Sequence, residues 1–232
     1  MSSDINIQVF DEDPGDFDSC YKLIVIGDSS VGKSSLSIKA TKNLFDENYN
    51  PTIGFEFFTF FVRIGESNIK LQIWDTCGQE VYRSLIKSFY TNSSLAILVY
   101  SITNKNSFDS LESWINEIKT FGNPDINIFL IGNKVDLEGK REISKEIGED
   151  FCKSHNIKLF LETSAKTGFN AKNIFIEAAK LLFKQNLEYK DMASRPDSIN
   201  NLNGRETVNK NIMLETNGET EEDGKSRKKK CC

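Results

Sequence analysis

Between residues 21 and 186 the hydrophobic positions fall into short blocks whose period switches repeatedly between that of a strand and that of a helix. Residues 21–26 form a nearly continuous apolar run closed by Gly27, which suits a strand buried on both faces. Residues 33–41 read as a helix. Residues 55–64 and 69–74, rich in β-branched and aromatic side chains, flank the turn-forming stretch 65–68 and predict an antiparallel hairpin. Beyond it, apolar strands at 95–100, 126–131 and 158–161 alternate with helical stretches near 108–121, 145–155 and 171–186. This repetition predicts an α/β fold: a six-stranded, mostly parallel sheet with one antiparallel strand and helices on both faces. Ligands in such sheets bind at the carboxyl ends of the strands, so the residues just after each apolar run are the ones to read for chemistry.

The flanks show neither period. Residues 1–19 carry Asp4, Asp11, Glu12, Asp13, Asp16 and Asp18 with no Lys or Arg, and read as a mobile acidic extension. After Tyr189 the chain is rich in Asn, Glu, Lys and Gly, so 188–232 reads as a disordered tail following one packed domain at 20–187. With 38% hydrophobic and 27% charged residues the chain has material for one such core, which excludes collagen-like and wholly disordered classes. The net charge of -5 counts against a general nucleic-acid binder. The start is polar rather than leader-like, and no apolar stretch reaches the roughly 18 residues that span a bilayer. Five cysteines, in neither a disulfide framework nor a metal-ligand pattern, fit a reducing compartment, so a cytosolic protein is expected.

Three polar segments follow predicted strands. GDSSVGKS at 27–34 matches GxxxxGK[ST] between a strand and a helix, the context a phosphate cradle requires. Backbone amides of Ser29, Ser30, Val31, Gly32 and Ser35 are candidates to meet phosphate oxygens, Lys33 supplies a cation to the outer phosphates, and the Ser34 hydroxyl is a candidate magnesium ligand. The bland alternative, a glycine turn with a surface lysine, does not account for the flanking pattern. NKVD at 133–136 places the Asp136 carboxylate where it can accept from guanine N1 and the exocyclic amine, a donor pair that adenine lacks. Alone it reads equally well as a helix-capping turn. Ser164, Ala165 and Lys166, after the last strand at the same edge, shift Asn133, Lys134 and Asp136 towards a base pocket. DTCGQ at 75–79 ends another strand: Asp75 can hold magnesium through water, Gly78 lets backbone approach a terminal phosphate, and Gln79 can orient an attacking water. Between these segments, Thr52 can add a second hydroxyl to magnesium when a terminal phosphate completes the site, which is a switch in physical terms.

The ordered set GDSSVGKS, PTIG, WDTCGQE, NKVD and ETSAK resembles a Ras-superfamily small GTPase over about residues 21–183. The segments IGFEFF, KLQIWDTCGQE, VYRSL and LVYSIT resemble those that set the Rab family apart. The resemblance implies a P-loop NTPase small G domain, bound GTP or GDP with Mg2+, and slow GTP hydrolysis with Lys33, Gly78 and Gln79 in catalytic roles. It implies that Phe45 flanks the guanine, Tyr49 shields the phosphates and Ala165 offers its amide to the base. Phe57, Trp74 and Phe89 match the family's partly exposed aromatic triad, which reads out the switch state to effectors. Implied partners are an exchange factor, a GTPase-activating protein, a prenyl-binding chaperone of GDI or escort type, and effectors, around a monomeric G domain that takes no nucleic acid. Ser30, Cys77 and Ser101 depart from the family pattern. The first two adjoin the terminal phosphate, which leaves open a hydrolysis-impaired GTP-binding scaffold on membranes. A small-molecule kinase using the same phosphate loop is disfavoured by NKVD and SAK.

The chain ends KSRKKKCC. A basic run alone is usually a solvated tail. With Cys231 and Cys232 behind it, the Rab resemblance implies two geranylgeranyl groups and a lipid-anchored place on the cytosolic face of Golgi or endosomal membranes. Two chains plus a basic patch supply the two signals that stable anchoring needs.

Overall fold

The computed structural model describes residues 6–47, 52–78 and 89–194. Seven strands form one sheet: β1 (Ile7–Phe10), β2 (Ser19–Ile26), β3 (Phe55–Ile64), β4 (Ser67–Thr76), β5 (Leu95–Ser101), β6 (Asn127–Asn133) and β7 (Leu159–Thr163). Their spatial order is β1-β3-β4-β2-β5-β6-β7. β3 pairs antiparallel with both neighbours while the other pairings are parallel, so β3 alone runs against the rest. The helices bounded within the described residues are α1 (Lys33–Lys42), α2 (Lys105–Asp109), α3 (Leu111–Phe121), α4 (Lys145–Ser154) and α5 (Ala171–Ala193), with a 3-10 segment at Val135–Lys140. None of the helices among the described residues is long and apolar enough to cross a membrane.

Alternation along β2 builds two cores. Leu23 and Val25 face the layer formed by α1 and α5, while Ile24 and Ile26 face that of α3 and α4. On α3 the buried residues Leu111, Trp114, Ile115 and Ile118 recur at helical spacing, and Ala171, Ile174, Phe175, Ala178, Ala179 and Leu182 do the same on α5. The interior strand β5 is buried along its whole length, as expected of a strand covered on both faces.

The α/β class is as the sequence predicts, with one strand more than expected. Residues 7–10, read from the sequence as part of the acidic extension, add β1 to the free edge of β3 in the register Ile7↔Ile64 to Phe10↔Phe61. The reason is local alternation. Ile7 and Val9 pack on the α1/α5 core beside Ile64 and Val62, and Phe10 lies under the Arg63 guanidinium at 5.0 Å. The following acidic residues also have fixed partners. The Asn68 amide donates to Asp18 Oδ2 at 2.8 Å, its side chain donates to the Asp16 carbonyl at 3.0 Å, and Lys70 pairs with Asp13 at 3.9 Å. The helix expected at 108–121 is two helices divided at Ser110, and α5 continues to Ala193, past the domain limit read from the sequence.

Candidate nucleotide site

β2, β4, β6 and β7 deliver their polar termini to one edge of the sheet, where a cleft of about 490 Å³ opens. That volume lies in the ordinary range for small-molecule sites. The loop from β2 to α1 forms its floor. Gly32 has φ 96° and backs onto Asn133, leaving no room for a side chain. Ser30 is also left-handed, at φ 63°. Lys33 is 5% exposed, and its Nζ donates to the carbonyls of Gly27 (2.9 Å) and Asp28 (2.7 Å). Burial lowers its pKa, while the charges of Asp75 and Asp28 oppose the shift. Ser29, Ser30, Gly32, Lys33, Ser34 and Ser35 all line the cleft. Val31 does not. Its side chain is in the core, and its carbonyl accepts from Asn133 Nδ2 at 2.8 Å.

Under the loop three oxygen-bearing side chains converge. Ser34 Oγ lies 2.6 Å from Thr52 Oγ1 and donates to Asp75 Oδ2. Asp75 is fully buried, and its Oδ1 has no hydrogen-bond partner among the described residues. Burial pushes its carboxyl up to about 7, with Glu56 adding to the rise and the Ser34 hydrogen bond and Lys33 opposing it. A carboxylate this costly to bury beside two hydroxyls fits a hard dication, whose charge would return Asp75 to its ionised form. Among the described residues no group of three His, Cys, Asp or Glu could hold a metal. One carboxylate with two hydroxyls suits Mg2+, which characteristically completes its shell with water and substrate phosphates.

The base end is built on Asn133, which is 1% exposed. Its Oδ1 accepts from Thr163 Oγ1 at 3.2 Å and from the Ala165 amide at 3.3 Å, so the Ala165 N–H is engaged by Asn133 in this structure. Lys134 is left-handed (φ 74°) and reaches across to the Ser30 carbonyl at 2.6 Å. Asp136 accepts from Ser164 Oγ at 2.6 Å, which fixes the carboxylate's orientation at the cleft wall. Phe45 and Ala165 line the same end. Lys166 pairs with Glu47 at 2.5 Å, an exposed ion pair between two residues that line the cleft.

A model of the Ras family matches residues 22–184, from within β2 to within α5. The chain belongs to the Ras family. Membership in this family carries guanine-nucleotide and magnesium binding and GTP hydrolysis as its general activity, and interaction with exchange factors, activating proteins and effectors. A bound Mg2+ supplies positive charge to the outer phosphate oxygens. In this Ras-family chain Ser34, Thr52 and Asp75 are the candidate donors to it.

Beside the cleft, at the ends of β3 and β4, Trp74 meets Phe57 edge-on (5.2 Å) and Phe89 in a tilted contact (5.2 Å). Phe55 completes the group, 5.3 Å from Trp74 and 4.7 Å from Phe89, and Lys22 sits 5.4 Å over Trp74. Phe55 and Phe57 are 43% and 46% exposed. Sequence reasoning missed Phe55, although its position two residues before Phe57 puts it on the same strand face. It also missed Glu47 and Leu137 in the cleft wall, which no contiguous motif marks. Tyr49, Gln79, Cys231 and Cys232 lie outside the described residues.

Proposed function

We propose that the chain is a Rab-type GTP/GDP switch regulating vesicle-mediated membrane traffic, recruiting effectors in its GTP state and hydrolysing GTP slowly. The observation that carries this reading is the partly exposed aromatic group of Phe57, Trp74 and Phe89 at the cleft end of β3 and β4, with Phe57 its most open member. It lies where Thr52 and Gly78 leave the cleft, so a terminal phosphate that repositions those two segments also reshapes an apolar docking surface. In this reading Ser29, Ser30, Gly32, Lys33, Ser34 and Ser35 hold the phosphates, with Val31 contributing through its backbone amide alone. Phe45, Asn133, Lys134, Asp136, Ser164, Ala165 and Lys166 form the guanine end, and Tyr49 covers the phosphates. Lys33, Gly78 and Gln79 serve hydrolysis. Geranylgeranyl groups on Cys231 and Cys232 hold the protein on the cytosolic face of Golgi or endosomal membranes, and a prenyl-binding chaperone extracts it.

Single-turnover hydrolysis and imaging of the tagged full chain test the proposal together. Gln79→Leu retains GTP and stays on endomembranes, whereas Ser34→Asn loses the triphosphate state and becomes diffuse. Equal hydrolysis by wild type and Gln79→Leu favours the hydrolysis-impaired scaffold, and identical distributions of the two variants sink the traffic switch.

A further inference from the structure

Asp28 sits inside the phosphate loop, yet its carboxylate engages α3 rather than the cleft. Oδ1 accepts from Trp114 Nε1 at 2.8 Å, and Oδ2 accepts from Ser110 Oγ at 2.7 Å. Trp114 is 1% exposed, in the core between α3 and the sheet, and Ser110 is the residue at which α2 gives way to α3. The carbonyl of the same Asp28 accepts from Lys33 Nζ at 2.7 Å. Its backbone also abuts Gly78, where an added Cβ would lie 2.5 Å from the Asp28 carbonyl oxygen. One residue thus joins a helix, the buried cation and the exit of β4.

We propose that Asp28 is a positioning residue for nucleotide: its carboxylate bolts the phosphate loop to α3 and so holds the loop amides and Lys33 in register with the phosphates. This rests on the cleft taking GDP and GTP. A loop without regular structure keeps a fixed backbone only if specific contacts offset its conformational entropy. Hydrogen bonds to a carboxylate, in a partly buried setting, are among the stronger contacts available. Without them the segment at Asp28 and Ser29 moves independently of the sheet, and the phosphate amides lose their common aim. Such a loss appears in the dissociation rate more than in the association rate.

The hydrogen-bond pattern separates geometry from charge. The Ser110 hydroxyl has one proton and two acceptors in reach, Asp28 Oδ2 and the Asn106 carbonyl at 2.8 Å. In Asp28→Asn the new amide N–H donates to Ser110 Oγ, freeing the hydroxyl proton for Asn106, while the amide oxygen still accepts from Trp114. The bolt survives without its charge. Asp28→Ala removes both arms, and Trp114→Phe removes one donor while keeping an aromatic ring in the core.

Release of a fluorescent GDP from the full chain in excess magnesium, with 31P NMR of bound GDP, tests this. Asp28→Ala should release GDP about tenfold faster, ~1.4 kcal/mol by the standard conversion, with displaced phosphate resonances. Asp28→Asn should stay within about twofold of wild type, with resonances that coincide with it, because its hydrogen bonds are retained. A remote structural role would alter melting without moving the phosphate resonances. Wild-type release by Asp28→Ala, or Asp28→Asn behaving like Asp28→Ala, overturns the proposal. Should Asp28→Ala fail to fold, Trp114→Phe combined with Ser110→Ala carries the test, and unchanged release and resonances there overturn it equally. Failure of the nucleotide reading itself looks different: wild type would then show no saturable GDP binding.

Discussion

Replacing Arg141 should loosen the base end of the cleft from behind. Its guanidinium forks onto Glu162, Nη1 to Oε1 at 2.6 Å and Nη2 to Oε2 at 3.2 Å, and Nη1 also donates to the Ile143 carbonyl at 2.9 Å. The opposite side of the fork holds Glu138 through two bonds of 2.8 Å. Arg141 therefore clamps the 3-10 segment that contains Asp136 to Glu162 of β7, which is followed directly by Thr163 and Ser164. The two side chains of the inner pair are 18% and 14% exposed. Exposed pairs contribute about 0–1 kcal/mol, and breaking fully buried ones costs about 3–5 kcal/mol. At this intermediate burial Arg141→Ala should cost about 2 kcal/mol, from the unpaired Glu162 carboxylate and the lost fork. For a domain of this size that is a fall of about 4–8 °C in Tm. Thermal unfolding of Arg141→Ala, Glu162→Ala and the double variant should show a coupling of about 1–2 kcal/mol, within the range for residues sharing one ion pair. Strictly additive costs, or a Tm within about 1 °C of wild type for Arg141→Ala, would show that solvent screens the pair and that it clamps nothing.

Asp136→Asn should shift preference from guanine towards xanthine nucleotides, and unchanged selectivity in a competition assay would remove Asp136 from the base contact. Gly78→Ala should hinder the approach of the β4 exit to the phosphate loop, because the new methyl meets backbone at Asp28 and Ser29 rather than a yielding side chain. Overpacking of this kind costs about 1–3 kcal/mol, and a Gly78→Ala protein with wild-type melting and hydrolysis would refute that reading. Replacing Cys231 and Cys232 together by Ser should release the protein into the soluble fraction with GDP binding intact. A single replacement should leave a salt-sensitive attachment, since the basic patch is screened over roughly 8 Å at physiological ionic strength. Lipid-free wild-type cysteines by mass spectrometry would end the anchor proposal.

The sheet and its phosphate loop are legible in the sequence because apolar runs of strand length punctuated by glycine leave few alternatives. Strand ends are less so, for a physical reason tied to function. β4 continues through Asp75 and Thr76, and β6 through Gly132 and Asn133, all in ladder register. Hydrophobicity stops where the buried polar residues of the cleft begin, although Asp75 and Asn133 are as enclosed as any leucine. The division of the predicted helix coincides with Ser110, whose partner Asp28 lies in another element. Local periodicity carries no trace of such a partner. Likewise the ion pair of Glu47 with Lys166 joins residues that only the fold brings together. Contiguous motifs mark the floor of the cleft and most of its base end, and tertiary structure adds the wall residues Glu47 and Leu137.

β1 also bears on the order in which the molecule is assembled. It is the first strand to be synthesised, but it pairs only with the distal half of β3, at Phe61 to Ile64, and must wait until β2, α1 and β3 have all followed. Such long-range closure is entropically slow, and four residues at an open edge give it little reward. The stretch that carries the family match, 22–184, contains the remainder of the sheet from within β2 onwards. β1 should therefore dock last and leave first, so that its amides exchange with solvent through a partial opening while those of β5 exchange only on global unfolding. The nucleotide end of the sheet, marked by Phe55 and Thr76 at the other end of the β3–β4 ladder, stays assembled throughout that excursion.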